Sequence, residues 1–190
     1  MVTVSCFHIP RPLRTAAAVA LACTLITGRL EAVALRDFVG DQNLTPKKFA
    51  AAFEDFAYDF HPDVQKPEEF LRARRGDCDD YAILAAYVLE PKGFEARIIH
   101  VRLVGRVAHA VCYITESKAY LDYNNRKYIL NLQRSGKTLR EIATKVADSF
   151  EANWTSVSEF TYSYDAGKKT FGRTVVKTEP RAKDADLQPN

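Results

Sequence analysis

Cys78 stands in an unusual setting, directly between Asp77 and Asp79 and just ahead of a long apolar run. Gly76 and Asp77 end one predicted helix and open the next, so Cys78 falls in the first turn of a helix that runs to about Leu89. Helix N-termini carry partial positive charge and free N–H groups, which favour a thiolate and can stabilise an oxyanion. The position therefore predicts a nucleophile, although the neighbouring carboxylates disfavour a thiolate unless a positive group offsets them.

A histidine brought to the sulfur as an imidazolium would supply that positive charge. His61 falls in a predicted loop, whereas His100 and His109 each fall in a predicted strand. The order of elements favours His109, because Asp122 follows on the next strand across a short turn, and adjacent antiparallel strands can place a carboxylate beside an imidazole. Such a carboxylate fixes the tautomer and stabilises the charged ring. The alternative for Asp122 is a strand-end residue that caps the turn at residues 123–125.

Cys78 and Cys112 are the two cysteines beyond residue 32, and in an oxidising compartment two cysteines suggest one disulfide. Strand alternation points Cys112 to the opposite face from His109, which lies three residues earlier. A His109 that faces Cys78 therefore competes with the disulfide, and we favour the catalytic interpretation.

The first 32 residues have the pattern of a signal peptide. Arg11 and Arg14 precede an apolar run that is too short to span a bilayer comfortably, and residues 30–32 form a tolerable cleavage site. We therefore predict export, to the periplasm or out of the cell. The alternatives are a lipoprotein acylated on Cys23 and an uncleaved N-terminal anchor.

The formal net charge is +3, and most of the excess lies in residues 1–32. The nearly neutral remainder gives no reason to expect nucleic acid or an anionic membrane as a partner. We predict a monomer with one domain over residues 33–178 and a disordered polar tail over residues 179–190. Any membrane contact would pass through an uncleaved or lipidated N-terminus.

The predicted secondary structure has an α+β layout, with helices packed on an antiparallel sheet. Residues 44–60 have the pattern of one helix, with Phe49, Phe53, Phe56 and Phe60 on a single apolar stripe. The helix that starts near Cys78 is apolar nearly all round, which predicts that it is buried in the middle of the domain. The other predicted elements are a short helix at 66–74, strands at 94–104, 107–115 and 118–124, a helix at 138–154, and a terminal hairpin at 158–178.

Three separated segments together resemble the core of the transglutaminase-like superfamily of cysteine enzymes. They are GDCDDYAILAAYVLEPKGFEARIIHV at 76–101, AHAVCYI at 108–114 and YLDY at 120–123. The resemblance covers about residues 66–130 and implies a papain-like α+β fold with a catalytic triad of Cys78, His109 and Asp122. In an exported protein, the GDCDDYA motif is similar to that of the bacterial transglutaminase-like cysteine proteinases.

The resemblance implies a cysteine hydrolase that acts on amide bonds of proteins or peptides and requires no cofactor. In the proteinase subgroup the acids flanking the cysteine bind calcium, which would assign Asp77 and Asp79 to that ion, with helix capping as the alternative. Acyl transfer to an amine acceptor and a non-catalytic exported binding module of the same fold stay open. Many members carry a tryptophan ahead of the cysteine, whereas Trp154 lies well downstream here, so the second oxyanion donor is unassigned.

Overall fold

The computed structural model describes residues 33–128 and 132–178. The predicted signal peptide and the predicted C-terminal tail lie outside these residues. The helices are α1 Leu35–Gly40, α2 Pro46–Ala51, α3 Pro67–Ala73, α4 Cys78–Leu89 and α5 Leu139–Ser149. The strands are β1 Ala57–Tyr58, β2 Arg75–Gly76, β3 Ala96–Leu103, β4 His109–Ile114, β5 Ala119–Leu121, β6 Leu132–Arg134, β7 Trp154–Ser163 and β8 Lys168–Val176. Within the described ranges, no helix has the length and apolar character needed to cross a membrane.

Six strands form the central sheet, in the order β6-β5-β4-β3-β7-β8, with every neighbouring pair antiparallel. Successive side chains of a strand point to opposite faces of a sheet. Ile98 and Cys112 therefore pack in the cluster that contains α4, whereas Ile99 and Val111 pack in the cluster that contains α5. The predicted α+β arrangement is confirmed, and it has one long helix on each face of the sheet.

Helix α4 is buried along its length, as its apolar composition predicts, with only Asp79 and Tyr87 outside the buried class. A reciprocal pair of carboxylates fixes where it begins. Asp77 accepts the N–H groups of Asp79 and Asp80, at 2.9 and 3.4 Å, and Asp80 accepts the Asp77 N–H at 3.0 Å. This capping box sets Cys78 as the first helical residue.

The long helix predicted over residues 44–60 is wrong. Helix α2 ends at Ala51, and the chain turns before it enters β1, which pairs in parallel with β2. Hydrogen bonds to a distant segment decide this change, because the Ala57 N–H donates to the Arg74 carbonyl at 2.9 Å. Tertiary pairing has overridden local helix propensity here.

Most of the phenylalanines in the aromatic stripe predicted for that helix are buried, although the helix itself is shorter. Phe49, Phe53 and Phe56 are fully buried, and each ring packs at a tilt on the next, with ring centroids 4.7 Å apart for each neighbouring pair. Phe60 is 60% exposed, because it follows β1 rather than the helix. Three of the four predicted core residues therefore lie in the core that supports α4.

The terminal hairpin predicted at 158–178 is present as β7 and β8, but β7 begins earlier, at Trp154. Strand β7 lies between β3 and β8 and pairs with β3 from Ile98 to Leu103. The hairpin is therefore an integral part of the sheet that carries His109.

Candidate active site

Cys78 and Cys112 occupy contrasting places in the same core. Cys78 is the first residue of α4 and is 8% exposed, whereas Cys112 is fully buried in β4. Burial raises the pKa of Cys112, and an inert structural thiol has this character. Both thiols are free, so the alternative Cys78–Cys112 disulfide is not formed. The N–H of a first helical residue has no intrahelical acceptor, so it remains beside the Cys78 sulfur as a donor.

Strands β4 and β5 bring His109 and Asp122 together at one end of the sheet. His109 is the first residue of β4, and Asp122 directly follows β5. The His109 Nε2 donates to Asp122 Oδ1 over 2.9 Å, and both side chains are buried. The same carboxylate oxygen accepts the Asn124 N–H at 2.9 Å. Asp122 therefore caps the turn at 123–125 and also orients the imidazole, so both sequence interpretations of this residue apply.

Cys78 lies close enough to His109 to act on the pKa of the imidazole. Because Asp122 takes Nε2, Nδ1 is the ring nitrogen left for the sulfur. Burial lowers the pKa of His109, but the Asp122 charge, its hydrogen bond and the neighbouring Cys78 outweigh that effect and raise the pKa of His109 to about 10. The imidazole is therefore positively charged at neutral pH and opposes the negative charge of the acids around the thiol.

Those acids are bound by groups from other segments. The Asp77 carboxylate accepts the His61 N–H at 3.4 Å in addition to its helix-capping bonds. Asp80 accepts the backbone N–H of Gln65 at 2.7 Å and the side-chain amide of the same residue at 2.9 Å. Burial, followed by the charges of Asp80 and Asp79, raises the pKa of Asp77. The start of α4 is thus a concentrated negative region held by donors from the loop before α3.

Lys169 neutralises Asp79, and no sequence pattern pointed to this residue. Its Nζ lies 2.7 Å from Asp79 Oδ2, and its ammonium also lies 5.7 Å from the ring centroid of Phe160. Lys169 comes from β8, near the tip of the terminal hairpin. The C-terminal part of the chain, which matched no motif, therefore supplies a cation beside the candidate nucleophile.

The predicted calcium ligands, Asp77 and Asp79, are bound by groups of the chain itself. Both oxygens of Asp77 already accept N–H groups, and Lys169 occupies one oxygen of Asp79. Within the described residues, Asp79 Oδ1 is buried without a hydrogen-bond partner. A single free oxygen does not fit calcium, which takes six to eight oxygen ligands. His61, Asp77 and Asp80 also offer ligand atoms within 4.8 Å of one another, but donors already bind both carboxylates. Calcium at Asp77 and Asp79 stays a prediction.

Tyr58 lies beside the start of α4, and the sequence analysis did not single it out. The pairing of β1 with β2 places it beside Gly76, two residues before Cys78, and its ring lies 6.3 Å from that of Tyr123. Burial and the neighbouring charge of Cys78 raise the pKa of Tyr58, so its hydroxyl keeps its proton and can donate a hydrogen bond. The sequence analysis placed Tyr58 inside the predicted helix over residues 44–60. Recognition of strand β1 and its pairing with β2 would have placed Tyr58 beside the start of α4.

The family model for the transglutaminase-like superfamily matches residues 47–125. Over this part, the chain is similar to members of that superfamily. The matched segment contains Cys78, His109 and Asp122 and ends before the hairpin that carries Lys169. Transglutaminase-like proteins are commonly enzymes, which supports a function of the cysteine hydrolase or transferase type. No curated protein matches the chain closely enough to be compared as a relative.

Proposed function

We propose that this chain is an exported transglutaminase-like cysteine hydrolase that cuts amide bonds of proteins or peptides, with Cys78, His109 and Asp122 as its triad. One observation carries the proposal: His109 hydrogen-bonds to Asp122 and neighbours Cys78 at the start of a buried helix, and its raised pKa favours the charged imidazole. The signal-peptide pattern of residues 1–32 supports export to the periplasm or beyond the cell. The GDCDDYA motif favours the bacterial transglutaminase-like cysteine proteinases as the subgroup.

In the first step, the Cys78 thiolate attacks the carbonyl carbon of the substrate amide, and an S–C bond forms. The carbonyl electron pair moves onto oxygen, where the Cys78 N–H and the Tyr58 hydroxyl donate to the developing charge. The C–N bond then breaks as the leaving nitrogen takes a proton from His109. Tyr58 would thus fill the place of the missing tryptophan as the second oxyanion donor.

In the second step, neutral His109 takes a proton from water, and the hydroxide attacks the thioester carbonyl. The C–S bond breaks, the acid product leaves, and the thiolate and the charged imidazole are restored. Asp122 keeps the imidazole in one orientation and stabilises its charged form throughout.

A thiol-directed label tests the assignment of the nucleophile, and Cys112 serves as a control within the same molecule. Fluorescent iodoacetamide should modify Cys78 in the folded full-length protein, with the labelled peptide identified by mass spectrometry. Labelling of that peptide should persist in Cys112→Ala and vanish in Cys78→Ala. Labelling of Cys112 with Cys78 left untouched would show that the nucleophile is misassigned.

Digestion of a randomised peptide library tests the reaction itself. We expect new peptide N-termini in the presence of the wild-type protein and none with Cys78→Ala. Addition of a fluorescent primary amine distinguishes hydrolysis from acyl transfer, because an acyltransferase would attach the amine where a hydrolase attaches water. Amine attachment without hydrolysis would replace the proposal with acyl transfer, and the absence of both reactions would favour the non-catalytic binding module.

A further inference from the structure

A polar cleft of about 380 Å³ opens beside the candidate active site, and its volume falls in the range of ligand pockets. It lies where β3, the turn after β3, and the starts of β4 and β7 meet. Its lining residues are His100, Arg102, Leu103, Arg106, Ala108 and Thr155. Ala108 directly precedes His109, so the cleft reaches the chain segment that carries the imidazole proposed to donate a proton.

Two arginines give this cleft its charge. Both Arg102 and Arg106 are exposed, and neither forms an ion pair with an acid of the described residues. The Arg106 guanidinium carbon lies 5.9 Å from the ring centroid of Phe150, and that ring packs 4.8 Å from the ring of His109. These contacts keep an unpaired guanidinium close to the reacting imidazole.

Arg102 lies on the same side of the sheet as the nucleophile helix. Strand alternation gives His100 and Arg102 the same face as Ile98, which packs in the cluster around α4. Burial lowers the pKa of His100, and the charges of Asp79, Lys169, Arg102 and His109 act on it as well. The cleft therefore opens on the side of the sheet that carries α4, and Ala108 links it to His109.

We propose that Arg102 and Arg106 bind a carboxylate side chain of the substrate, on the leaving-group side of the bond that is cut. This inference rests on the proposed hydrolase function and names a substrate preference for it. His109 gives its proton to the leaving nitrogen, so the residue that carries this nitrogen lies on the His109 side of Cys78, toward the cleft. A guanidinium can bind a carboxylate through two parallel hydrogen bonds, and Asp or Glu within two residues after the cut is therefore favoured.

The start of α4, on the other side of Cys78, carries negative charge and gives the preference a direction. Asp77, Asp79 and Asp80 surround Cys78, and Asp79 is the one of the three that has an ammonium partner. Asp77 and Asp80 are buried, so they would repel an acidic residue on the acyl side of the cut through their charge and not through contact. Repulsion on one side and attraction on the other produce a specificity that neither produces alone.

Digestion of the randomised peptide library by the full chain tests the preference. We expect Asp or Glu to be favoured over Asn or Gln about tenfold at the two positions after the cut. The double variant Arg102→Glu with Arg106→Glu should prefer Lys or Arg there. Arg134→Glu, on the edge strand β6, should keep the acidic preference and so controls for net charge. Equal cleavage of acidic and amide peptides, or an acidic preference that survives the double substitution, would overturn the proposal.

A binding measurement separates this inference from the hydrolase function. Fluorescein-labelled octapeptides of Ala and Ser, with Glu-Glu or Gln-Gln at the centre, are titrated with Cys78→Ala protein and followed by anisotropy. We expect Kd to be about tenfold lower for the Glu-Glu peptide, and this difference should vanish when both arginines are reversed. If the library is not cut at all, the hydrolase function fails and this ratio alone decides the role of the cleft, with equal affinities ruling it out.

Discussion

Helices α4 and α5 lie on opposite faces of one sheet and begin in the same way, with a capping box. Asp77 and Asp80 form the box of α4, whereas Thr138 and Glu141 form that of α5. The two acids of α4 are buried, at 3% and 1% exposure, while the box of α5 lies at the surface. The same local chemistry is therefore used in two very different environments.

Burial of the capping box of α4 costs free energy, and the start of a helix does not require such burial. An exposed cap already satisfies the first N–H groups of a helix, whereas buried carboxylates need hydrogen bonds from elsewhere. Gln65 and His61 supply these bonds to α4, and Lys169 supplies a cation. The first residue of α4 is Cys78, whereas the first residue of α5 is Leu139. The candidate nucleophile at the start of α4 explains why these extra groups are present there.

The largest expected effect follows from substituting these two first residues. Cys78→Ala should abolish hydrolysis and change stability little, because only a sulfur is removed. Leu139→Ala should retain activity and lower the free energy of unfolding by about 3 kcal/mol, since this leucine is buried in the core. Peptide hydrolysis measures activity, and urea unfolding measures stability. A comparable loss of activity in both variants would contradict the different roles assigned to the first residues of α4 and α5.

The second effect concerns the strand that reaches the start of α4. Tyr58→Phe removes one hydroxyl, and if that group donates to the oxyanion, kcat should fall about 100-fold with little change in KM. Tyr87→Phe is a matched control, because Tyr87 lies far along α4 and is 49% exposed, against 51% for Tyr58. A fall in KM and kcat together, or equal effects of the two substitutions, would remove Tyr58 from the proposed mechanism.

The third effect concerns the cation beside Asp79. Lys169→Met leaves that carboxylate unneutralised next to the thiolate, so we expect kcat/KM to fall about tenfold. Lys177→Met is the control, because Lys177 packs 5.6 Å from the Trp154 ring on the α5 side of the sheet. Steady-state kinetics at low salt measures the loss. Restoration of activity by Lys169→Arg would support a charge effect, and unchanged kinetics in Lys169→Met would argue against one.

Asp122→Asn should have the smallest effect on activity at pH 6. Its effect on activity should grow as the pH rises. The amide oxygen can keep the bond to His109 but not the charge, so the pKa of His109 should fall from about 10. Activity near pH 6 should stay within a few-fold of wild type, while its alkaline decline should begin at a lower pH. A pH–rate profile of both proteins checks this, and coincident alkaline limbs would contradict the assigned ion pair.

The same ion pair predicts how stability depends on pH. Folded His109 keeps its proton up to about pH 10, whereas the unfolded side chain releases it near 6.5. The folded state therefore binds more protons between these values, and its extra stability falls as pH rises. The stability difference between wild type and Asp122→Asn should be complete below pH 6.5 and disappear as pH passes about 10.

The three candidate triad residues could be proposed from sequence because local signals mark them. The first residue of α4 follows from a capping box that is read within four positions, and His109 and Asp122 follow from the order of two short antiparallel strands. Gly76 also belongs to the motif, although its reason is a long-range one. A side chain there would collide with Asp80 and with the Phe70 ring, and this close approach is visible only in the folded protein.

Tyr58 and Lys169 could not be found in this way. Helical spacing of the phenylalanines extended the predicted helix past Ala51, and hydrogen bonds from another segment ended it. Lys169 stands 90 positions from Asp79, and no periodicity links a hairpin to a helix start at that separation. Contacts made by distant segments are the part of this site that a single sequence conceals.

Strand β7 and Lys169 have a practical consequence for how the protein is trimmed. A chain cut back to the segment that matches the superfamily would keep the sulfur, the imidazole and the carboxylate that orients it. It would lose the strand that pairs with β3 and the ammonium that offsets Asp79. The segment that matches the superfamily, residues 47–125, is thus shorter than the shortest chain that we expect to turn over substrate. The C-terminal boundary for expression should therefore be placed after β8.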